Sequence, residues 1–375
     1  MDALMLPSNW QRVRLGDIFF ITAGGDLSKP HYSNTLFKYT KQSDFNYPIY
    51  SNAIEKKGLY GYSSFFIIKN KSITITSRGT IGVAFFRDYP YVPIGRLLVL
   101  QPKISNIDCR FYTEYINSKV KFNTEQTTIP QLTIPKVALC EIPLPPLNEQ
   151  IAIANVLSDV DRYLYSLDAL ILKKESVKKA LSFELLSQRK RLKGFNQAWQ
   201  RVRLGDICEI VKGQQINKIS LNNTDKYPVI NGGIDFLGYT NKFNVSKNTI
   251  AISEGGTCGY VRFMTSNFWS GGHNYSLQKI GNKVNNLCLY HILKSYEKDI
   301  MKLGVGSGLK NIQLKALKDF EIPLPPLNEQ SAIANILSGL DNEIASLKNK
   351  KRQFENIKKA LNHDLMSAKI RVLEK

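Results

Sequence analysis

The sequence contains one framework written twice. The nine residues from Trp10 to Ile18 recur unchanged from Trp199 to Ile207, and the ten residues from Glu141 to Gln150 recur unchanged from Glu321 to Gln330. Identity of this length at two places does not arise by chance. The sequence therefore predicts an internal duplication, in which two copies of one scaffold are related by a pseudo-two-fold axis.

The two halves diverge between these repeats. Gly79-Thr80-x-Gly82 still matches Gly256-Thr257-x-Gly259, but most other positions differ, and the first half carries extra residues around 30–46. A constant frame with variable filling is typical of two scaffolds that carry different recognition surfaces. We therefore expect the repeats to be structural and the variable turns to determine specificity.

The chain is strongly basic, and the excess charge is divided evenly. Its 375 residues include 51 Lys and Arg against 31 Asp and Glu, a formal net charge of +20. Residues 1–147 and 194–327 each carry a net charge of +7, while 148–193 and 328–375 each carry +3. Such a balance indicates a polyanionic partner such as double-stranded DNA, and each half has enough charge to bind its own stretch.

Other features exclude several classes of protein. The longest apolar runs are a few residues long, far short of the ~20 residues of a membrane-spanning helix, so no membrane partner is expected. Five cysteines stand at positions 109, 140, 208, 258 and 288, and neither they nor the four histidines have the spacing of metal ligands. We interpret the cysteines as reduced thiols of a cytoplasmic protein and predict no metal site.

A long helix is predicted after each copy of the proline-rich repeat. The adjacent prolines exclude a helix upstream. Asn148 is expected to be the N-cap of the first helix, and Glu149 places negative charge at the positive helix end. Gly194 is expected to end this helix, with the basic residues 189–193 in its last turn.

Apolar residues in both helices recur at steps of three and four, which predicts a coiled-coil seam. Lys178 and Lys358 occupy equivalent seam positions, where they either fix the register of pairing or extend their ammonium groups to solvent. Two like halves pair about a two-fold axis, so the helices are expected to be antiparallel and, at ~43 residues or ~64 Å each, to act as a ruler between two domains. The predicted seam residues are Leu157, Val160, Leu164, Leu167, Ile171, Leu181, Leu185, Leu337, Leu340, Ile344, Leu347, Phe354, Leu361 and Leu365.

The regions between the repeats have mixed patterns. Residues 72–76, 82–86 and 249–252 are rich in β-branched and aromatic side chains and predict strands, whereas segments near 110–121 and 285–302 predict helices. The predicted fold class is α+β, with two mixed α/β domains linked by the two long helices.

The duplicated pattern PLPPLNEQ-x-AIAN-[VI]-LS, followed by a long helix, resembles the DNA specificity subunits of Type I restriction–modification systems. The openings at 10–18 and 199–207 look like the start of that family's target recognition domains, and the resemblance covers essentially the whole chain. The division that it implies is a first recognition domain at 1–147, a conserved helix at 148–193, a second recognition domain at 194–327 and a second conserved helix at 328–375.

The resemblance carries further implications. Each recognition domain would read one half of a bipartite, asymmetric DNA target, and the helices would set the spacer between the halves. The chain itself would have no catalytic activity and bind no cofactor. Two modification subunits, which are adenine-N6 methyltransferases that use S-adenosylmethionine, would dock on it, and restriction subunits would join the complex.

The residues agree with a non-catalytic role. The Asn/Asp-Pro-Pro-aromatic motif of adenine methyltransferases is absent from the sequence, since the Pro-Pro pairs at 145–146 and 325–326 lie between leucines. Gly304–Lys310 differs in spacing from a phosphate-binding loop, and it is either a flexible loop or a backbone contact to phosphate. We interpret Glu149 and Glu329 as helix-start carboxylates rather than acid–base catalysts, although an unvarying repeat exceeds what capping requires and leaves a contact with a partner subunit open.

Two alternatives remain at this point: an enzyme with an unrecognised motif, and a purely structural coiled-coil scaffold. The scaffold explains the helices but does not explain two basic, variable domains. Salt-dependent DNA binding would distinguish the DNA-binding interpretation from the scaffold.

Base reading favours Arg, Lys, Asn and Gln on exposed loops, and phosphate contacts favour Lys, Arg, Ser and Thr. Glycine-rich turns at corresponding positions of the two halves carry such residues. Arg12 and Arg14 match Arg201 and Arg203 in identical frames, so they are poor readers of two different sequences and are expected at most to hold phosphates. The predicted DNA-binding residues are Lys29, Asn52, Ser77, Arg78, Thr80, Arg96, Gln214, Gln215, Lys218, Asn231, Thr257, His273, Asn274 and Lys310.

Overall fold

The structure, a computed structural model, describes residues 7–27, 32–33, 45–122 and 130–372. It divides into two compact units, of which the first comprises Met1–Leu167 with Lys350–Lys375 and the second Asp168–Asn349. Both units are mixed α/β structures, which confirms the predicted fold class. No helix within the described ranges is both long and apolar enough to span a membrane.

The elements of the first unit follow the chain as β1 (Gln11–Arg14), α1 (Leu15–Ile18), β2 (Phe19–Ala23), β3 (Tyr32–Ser33), β4 (Tyr47–Tyr50), β5 (Leu59–Ser63), β6 (Ser72–Ile75), β7 (Ala84–Arg87), β8 (Val92–Pro93), β9 (Leu98–Pro102), α2 (Cys109–Lys119), α3 (Ile134–Ala138), β10 (Glu141–Leu144) and the start of α4 (Leu147–Leu186). The C-terminal part of α4 belongs to the second unit.

Two sheets form the body of the first unit. β2, β9, β6 and β7 make an antiparallel sheet in that order, and β3, β5, β4 and β8 make a second sheet in which β4 and β8 are parallel. Ile73 of β6 and Leu100 of β9 belong to a buried core that also contains Phe111 and Tyr112 of α2. The predicted strands at 72–76 and 82–86 correspond to β6 and β7.

The elements of the second unit are β11 (Gln200–Arg203), α5 (Leu204–Ile207), β12 (Glu209–Lys212), β13 (Tyr227–Ile230), β14 (Gly238–Thr240), β15 (Thr249–Ser253), β16 (Val261–Met264), β17 (Trp269–Ser270), β18 (Asn274–Gln278), α6 (Asn286–Ser295), α7 (Glu297–Met301), β19 (Gly304–Val305), β20 (Asn311–Ile312), α8 (Leu314–Lys318), β21 (Glu321–Leu324) and α9 (Leu327–Met366). The C-terminal part of α9 belongs to the first unit.

The second unit repeats the first in its sheets. β12, β18, β15 and β16 form an antiparallel sheet in that order, and β14, β13 and β17 form a smaller sheet with β13 parallel to β17. A hairpin of β19 and β20 has no counterpart among the described strands of the first unit. The buried core again joins the large sheet to the helix that follows it, through residues such as Ile252 and Leu289.

The two invariant repeats of each half pair with one another. β1 comes from the first repeat and runs antiparallel to β10 from the second, with Arg14 opposite Glu141. β11 and β21 pair in the same register, with Arg203 opposite Glu321. Segments that lie far apart in the sequence therefore form one framework, which explains why both repeats are preserved together.

A buried glutamate joins this strand pair to the long helices in the first unit. Glu149 is 2% exposed and accepts a hydrogen bond from the indole Nε1 of Trp10 at 3.0 Å. Arg371 donates to the same carboxylate through Nε at 2.6 Å and Nη2 at 3.0 Å. A buried carboxylate is stable only when its charge is balanced and its lone pairs accept hydrogen bonds. Removing either Trp10 or Arg371 would therefore leave the buried charge of Glu149 partly uncompensated.

The second unit contains the same cluster 180 residues later. Glu329 is 1% exposed and accepts from Trp199 Nε1 at 3.0 Å and from Arg191 Nε at 2.9 Å and Nη2 at 2.6 Å. We call these two clusters the glutamate clamps: Trp10, Glu149 and Arg371 in the first unit, and Trp199, Glu329 and Arg191 in the second. They support the structural interpretation of the two glutamates.

The glutamine after each of these glutamates is also buried and hydrogen-bonded. The Oε1 of Gln150 accepts from the backbone N–H of Asp108, the N-cap of α2, at 2.9 Å. Its Nε2 donates to the carbonyls of Asn106 at 3.0 Å and Pro145 at 2.8 Å. The unvarying Glu-Gln pair of the repeat therefore has an intramolecular explanation. The matching partners of Gln330 are Asn285, Lys283 and Pro325.

Within each unit, segments of the two long helices run antiparallel. In the first unit Lys358 of α9 binds Asp161 of α4 at 2.7 Å, and in the second Lys178 of α4 binds Asp341 of α9. The predicted seam residues are all buried or half-buried. Because these four charged side chains are 22–48% exposed, each ion pair contributes at most about 1 kcal/mol. The pairing favours a role for both lysines in register.

The predicted ends of the long helices were wrong by a few residues. Asn148 is not the N-cap, because α4 already begins at Leu147 and the carbonyl of Pro146 accepts from the N–H of Gln150 at 3.1 Å. Gly194 does not end α4, which stops at Leu186 because Gln188 adopts a left-handed φ of 60°. α9 ends in the same way, with Ala368 at φ 52°.

These early helix ends have a structural consequence. The left-handed residue turns the chain back, and the N–H of Lys190 donates to the carbonyl of Glu184 at 3.1 Å. The reversal brings Arg191 to Glu329 in the second unit and, after the equivalent turn, Arg371 to Glu149 in the first. The basic residues after α4 therefore include a member of a glutamate clamp, not only charges for the helix dipole.

We expect Glu329→Gln to lower the free energy of unfolding by about 2–3 kcal/mol. The largely buried guanidinium of Arg191 would then lack a negatively charged partner. The matched control is Glu321→Gln, which removes an exposed pair with Arg201 at 3.4 Å and should cost less than about 0.5 kcal/mol. Denaturant unfolding of both variants measures the difference. Equal losses would mean that the clamp does not stabilise the fold.

His291 is a second buried group whose charge matters. It lies on α6, is 4% exposed, and its Nε2 is 3.1 Å from the hydroxyl of Ser338 on α9. Burial lowers the pKa of His291 to about 4; Lys178 lowers this pKa further, and Asp341 opposes the shift. The imidazole is therefore neutral in the folded protein near pH 7.

We expect acidification to destabilise the unaltered chain more than a His291→Gln variant. The pKa of His291 in the folded protein lies below the ordinary value near 6.5. The stability gained by keeping this imidazole neutral is therefore fully present above about pH 6.5 and is lost as the pH falls towards 4. At low pH the unaltered chain should therefore lose about 2–3 kcal/mol more of its free energy of unfolding than the His291→Gln variant. Denaturant unfolding at several pH values measures it, with His363→Gln as an exposed histidine control. Identical pH profiles for the unaltered chain and His291→Gln would contradict the expectation.

Candidate nucleic-acid interface

Several of the predicted DNA-binding residues of the first unit meet at one group of turns. Asn52 lies after β4, Ser77 after β6 and Arg96 before β9. The Oδ1 of Asn52 accepts from the N–H of Ser77 at 2.7 Å, and its Nδ2 donates to the carbonyl of Gly95 at 2.6 Å. The hydroxyl of Ser77 donates to the carbonyl of Arg96 at 2.7 Å. We call Asn52, Ser77, Gly95 and Arg96 the first turn cluster.

The members of this cluster differ in access to solvent. Ser77 is fully buried and Asn52 half-buried, so both hold the turns in place. Arg78, Thr80 and Arg96 are exposed. Arg96 has a φ of 64°, a left-handed conformation that directs the chain sharply at this point. Lys29 lies outside the described residues.

One polar residue near these turns was not predicted from the sequence. The Nη2 of Arg78 donates to the Oε1 of Gln131 at 3.3 Å. Leu132, the next residue, donates its N–H to the carbonyl of Ser77 at 2.9 Å. Gln131 therefore belongs beside the first turn cluster, although no glycine-rich pattern surrounds it in the sequence.

The second unit has a corresponding group of turns. The N–H of Glu254 donates to the carbonyl of His273 at 2.9 Å, and the N–H of Thr257 donates to the carbonyl of Gly232 at 2.8 Å. Gly232 has a φ of 81°, and a Cβ there would lie 2.5 Å from the carbonyl oxygen of Gly255. Glycine is required at Gly232 because the backbones approach so closely. We call Gly232, Glu254, Gly255, Gly271, Gly272 and His273 the second turn cluster.

Most of the predicted residues of the second unit surround this cluster. The N–H of Gln214 donates to the carbonyl of Ser270 at 2.8 Å, and the side chain of Gln215 lies against Gly272. The Oδ1 of Asn231 accepts from the N–H of His273 at 3.1 Å. Asn274 is 1% exposed and so supports the turn from within the protein rather than presenting a group to solvent. Those left exposed are Gln214, Gln215, Lys218, His273 and Lys310, while Asn231 and Thr257 are half-buried.

Glu254 is the functional candidate that the sequence interpretation missed. Its carboxylate accepts from Lys212 Nζ at 2.7 Å and from the phenol of Tyr275 at 3.2 Å, and it lies 4.0 Å from the Nδ1 of His273. Burial and the nearby Glu254 raise the pKa of Tyr275 to about 12, so the phenol remains a donor. The sequence signal was its place directly before Gly255 and Gly256.

The two turn clusters differ at equivalent positions. With the glycine motifs aligned, Ser77 corresponds to Glu254, and Arg96 corresponds to His273. An exposed guanidinium in one unit is thus replaced by an exposed imidazole in the other, whereas Ser77 and Glu254 are buried and support the turns. Donors and acceptors of these kinds match base edges and phosphates, and their exchange changes which bases they suit.

The repeated arginines lie elsewhere. Arg12 is 3.5 Å from Glu141 on the neighbouring strand, and Arg201 is 3.4 Å from Glu321. Arg14 and Arg203 are exposed. A phosphate-holding role for these four stays a prediction. In the part of the chain that the structure describes, no group of three or more His, Cys, Asp or Glu side chains is placed to hold a metal ion.

Comparison with known sequences gives a consistent match. A family model described as the Type I restriction modification DNA specificity domain matches residues 7–174 and again residues 196–356. The two matches correspond to the two copies of the duplicated sequence and cover most of the chain.

Individual relatives match to different extents. A Methanocaldococcus jannaschii protein named as a putative type I restriction enzyme MjaX specificity subunit is 29% identical over 406 residues, covering 98% of this chain and 95% of that protein. The putative type I specificity subunit S.MpnORF638P of Mycoplasma pneumoniae is 39% identical over 154 residues, 40% of this chain. That match spans 41% of the Mycoplasma protein.

A solved structure has the same fold. The crystal structure of a Type-I restriction-modification system S subunit from M. genitalium superposes with a TM-score of 0.73 and covers 96% of this chain and 97% of that one. The sequence identity is 21%, so the likeness concerns the fold.

Proposed function

Because this chain belongs to the Type I restriction modification DNA specificity family, we propose that it is the subunit that selects the DNA target of a restriction–modification complex. The observation that carries the proposal is the contrast between a constant framework and variable turns when the two halves of the chain are compared. The framework is the same in both halves, down to the glutamate clamps, whereas the turn clusters differ at equivalent positions. Selection between sequences requires such variable side chains on a constant support.

The target proposed for this chain is bipartite and asymmetric. Each recognition domain would read one half, with the first turn cluster and its exposed neighbours acting on one half-site and the second turn cluster on the other. The exposed arginines, glutamines and lysines around these turns supply donors for guanine, adenine and phosphate oxygens. Since the exposed Arg96 of one unit is replaced by the exposed His273 of the other, the two half-sites should differ.

The long helices are proposed to set the spacer and to dock partner subunits. Each is 40 residues long and therefore rises ~60 Å along its axis. The two Lys–Asp pairs support one fixed register, which a spacer requires. The proposed partners are two modification subunits, adenine-N6 methyltransferases that use S-adenosylmethionine, and restriction subunits that join them.

The experiment that tests target selection is methylome sequencing of a host that expresses the chain with its modification subunits. We expect Gln215→Ala combined with His273→Ala to change or relax one half of the methylated motif and to leave the other half unaltered, because both side chains belong to one recognition domain. The control is Arg201→Ala, an exposed framework residue of the same unit, which should leave the motif intact. Changes in both halves, or an equal effect of the control, would contradict the assignment.

We also expect the purified chain to transfer no methyl group to DNA by itself. The adenine-methyltransferase motif is absent from the sequence, and the proposal assigns the chemistry to the modification subunit. Radiolabelled methyl transfer from S-adenosylmethionine should appear only when that subunit is added. Transfer by the clean chain alone would refute a non-catalytic role.

A further inference from the structure

Two loops are attached to the second turn cluster. The first follows β12, and the N–H of Gln214 fixes its base to the carbonyl of Ser270 at 2.8 Å. The second is the β19–β20 hairpin, and the N–H of Ile312 fixes its base to the carbonyl of Glu254 at 2.9 Å. Both loops are therefore attached to the group of turns proposed to read DNA.

Each loop presents one exposed aliphatic side chain next to a lysine. Ile219 is 91% exposed and follows Lys218, and Leu309 is 81% exposed and precedes Lys310. Among the described residues these are the two most exposed of the large apolar side chains. One such residue on a surface is ordinary. Two of them, each beside a lysine and each on a loop attached to the same cluster, indicate a shared role.

The backbone holds both side chains outward. Lys218–Ser220 forms a short helical turn, capped by the Oδ1 of Asn217, which accepts from the N–H of Ile219 at 3.1 Å. In the hairpin, Gly306 has a φ of 134°, and a Cβ there would lie 2.5 Å from the carbonyl oxygen of Leu309. Glycine is therefore required at Gly306, where the backbone of the hairpin tip passes close to Leu309.

We propose that Ile219 and Leu309 contact bases in the half-site of the second recognition domain, with Leu309 packed on the 5-methyl group of a thymine. Lys218 and Lys310 would neutralise the phosphates beside them. This inference rests on the proposed function. Duplex DNA suits the arrangement because thymine methyl groups are the apolar features of the major groove and are flanked by phosphates.

The local charge favours DNA over an apolar protein surface. Lys218 and Lys310 adjoin the two aliphatic residues in the sequence, and Lys212 and His273 lie beside Glu254 in the cluster to which both loops are attached. The carboxylate of Glu254 is already bound by Lys212 and Tyr275. A protein partner that buried Ile219 and Leu309 would also have to neutralise the lysines next to them, whereas a nucleic acid supplies both kinds of contact together.

The test uses the full-length chain assembled with its modification subunits. Binding is measured on a duplex with the methylated site found by methylome sequencing and on a scrambled duplex of equal length. We expect Leu309→Ala to weaken binding to the site about tenfold and to leave binding to the scrambled duplex unchanged. The control is Ile67→Ala, an equally simple truncation of a 57% exposed side chain in the first unit, and it should change neither.

The neighbouring lysine should behave differently. We expect Lys310→Gln to weaken binding to both duplexes alike and to reduce the slope of log affinity against log salt by about one. Uracil lacks the 5-methyl group of thymine and therefore tests the proposed contact directly. Replacing one particular thymine of the half-site by uracil should lower the affinity of the unaltered complex about fourfold and leave the affinity of the Leu309→Ala complex unchanged.

The outcomes separate this inference from the function on which it rests. If the unaltered complex does not prefer its site over the scrambled duplex, the proposed function fails. If it does prefer the site but Leu309→Ala has no effect, affects both duplexes equally, or leaves every uracil penalty in place, the base contact by Leu309 is overturned. All substituted side chains are exposed, and thermal unfolding of each variant confirms that the fold is retained.

Discussion

The glutamate clamps are the interaction on which the rest of the structure depends. Glu149 and Glu329 are almost fully buried, and each holds a tryptophan from the start of a recognition domain and an arginine from just beyond a long helix. Burying a carboxylate without such partners would be strongly unfavourable. The clamp therefore makes the strand pair and both helix segments of each unit depend on one another.

This arrangement separates support from recognition. The clamps, the buried glutamines and the β1–β10 and β11–β21 pairs use the repeated residues, and none of them uses a member of the turn clusters. Side chains such as Arg96 and His273 can therefore change without loss of the framework. That independence fits the proposed function, because new recognition side chains could then be placed on an unchanged support.

Much of the fold could be predicted because it depends on local patterns. The seam at Leu157 and Leu337 follows from the spacing of apolar residues, and the strand at 72–76 from β-branched residues. The exact helix ends could not be predicted, because Gln188 and Ala368 adopt the left-handed conformation that glycine usually marks in a sequence. Glycine-rich turns that the sequence marked do come together in each unit, but the burial of Ser77 and Asn274 and the place of Glu254 among them could not be predicted. Their role in DNA binding stays a prediction.

The sequence by itself determined the duplication, the long helices with their seam and the basic charge, since these depend on residue identity and on spacing within a few positions. Only the tertiary structure decided which polar groups are buried together. Trp10 meets Glu149 across 139 residues, and Arg371 meets it across 222. Such partners are chosen by the packing of distant segments, which no local pattern encodes, because the cost of burying a charge depends on everything that surrounds it.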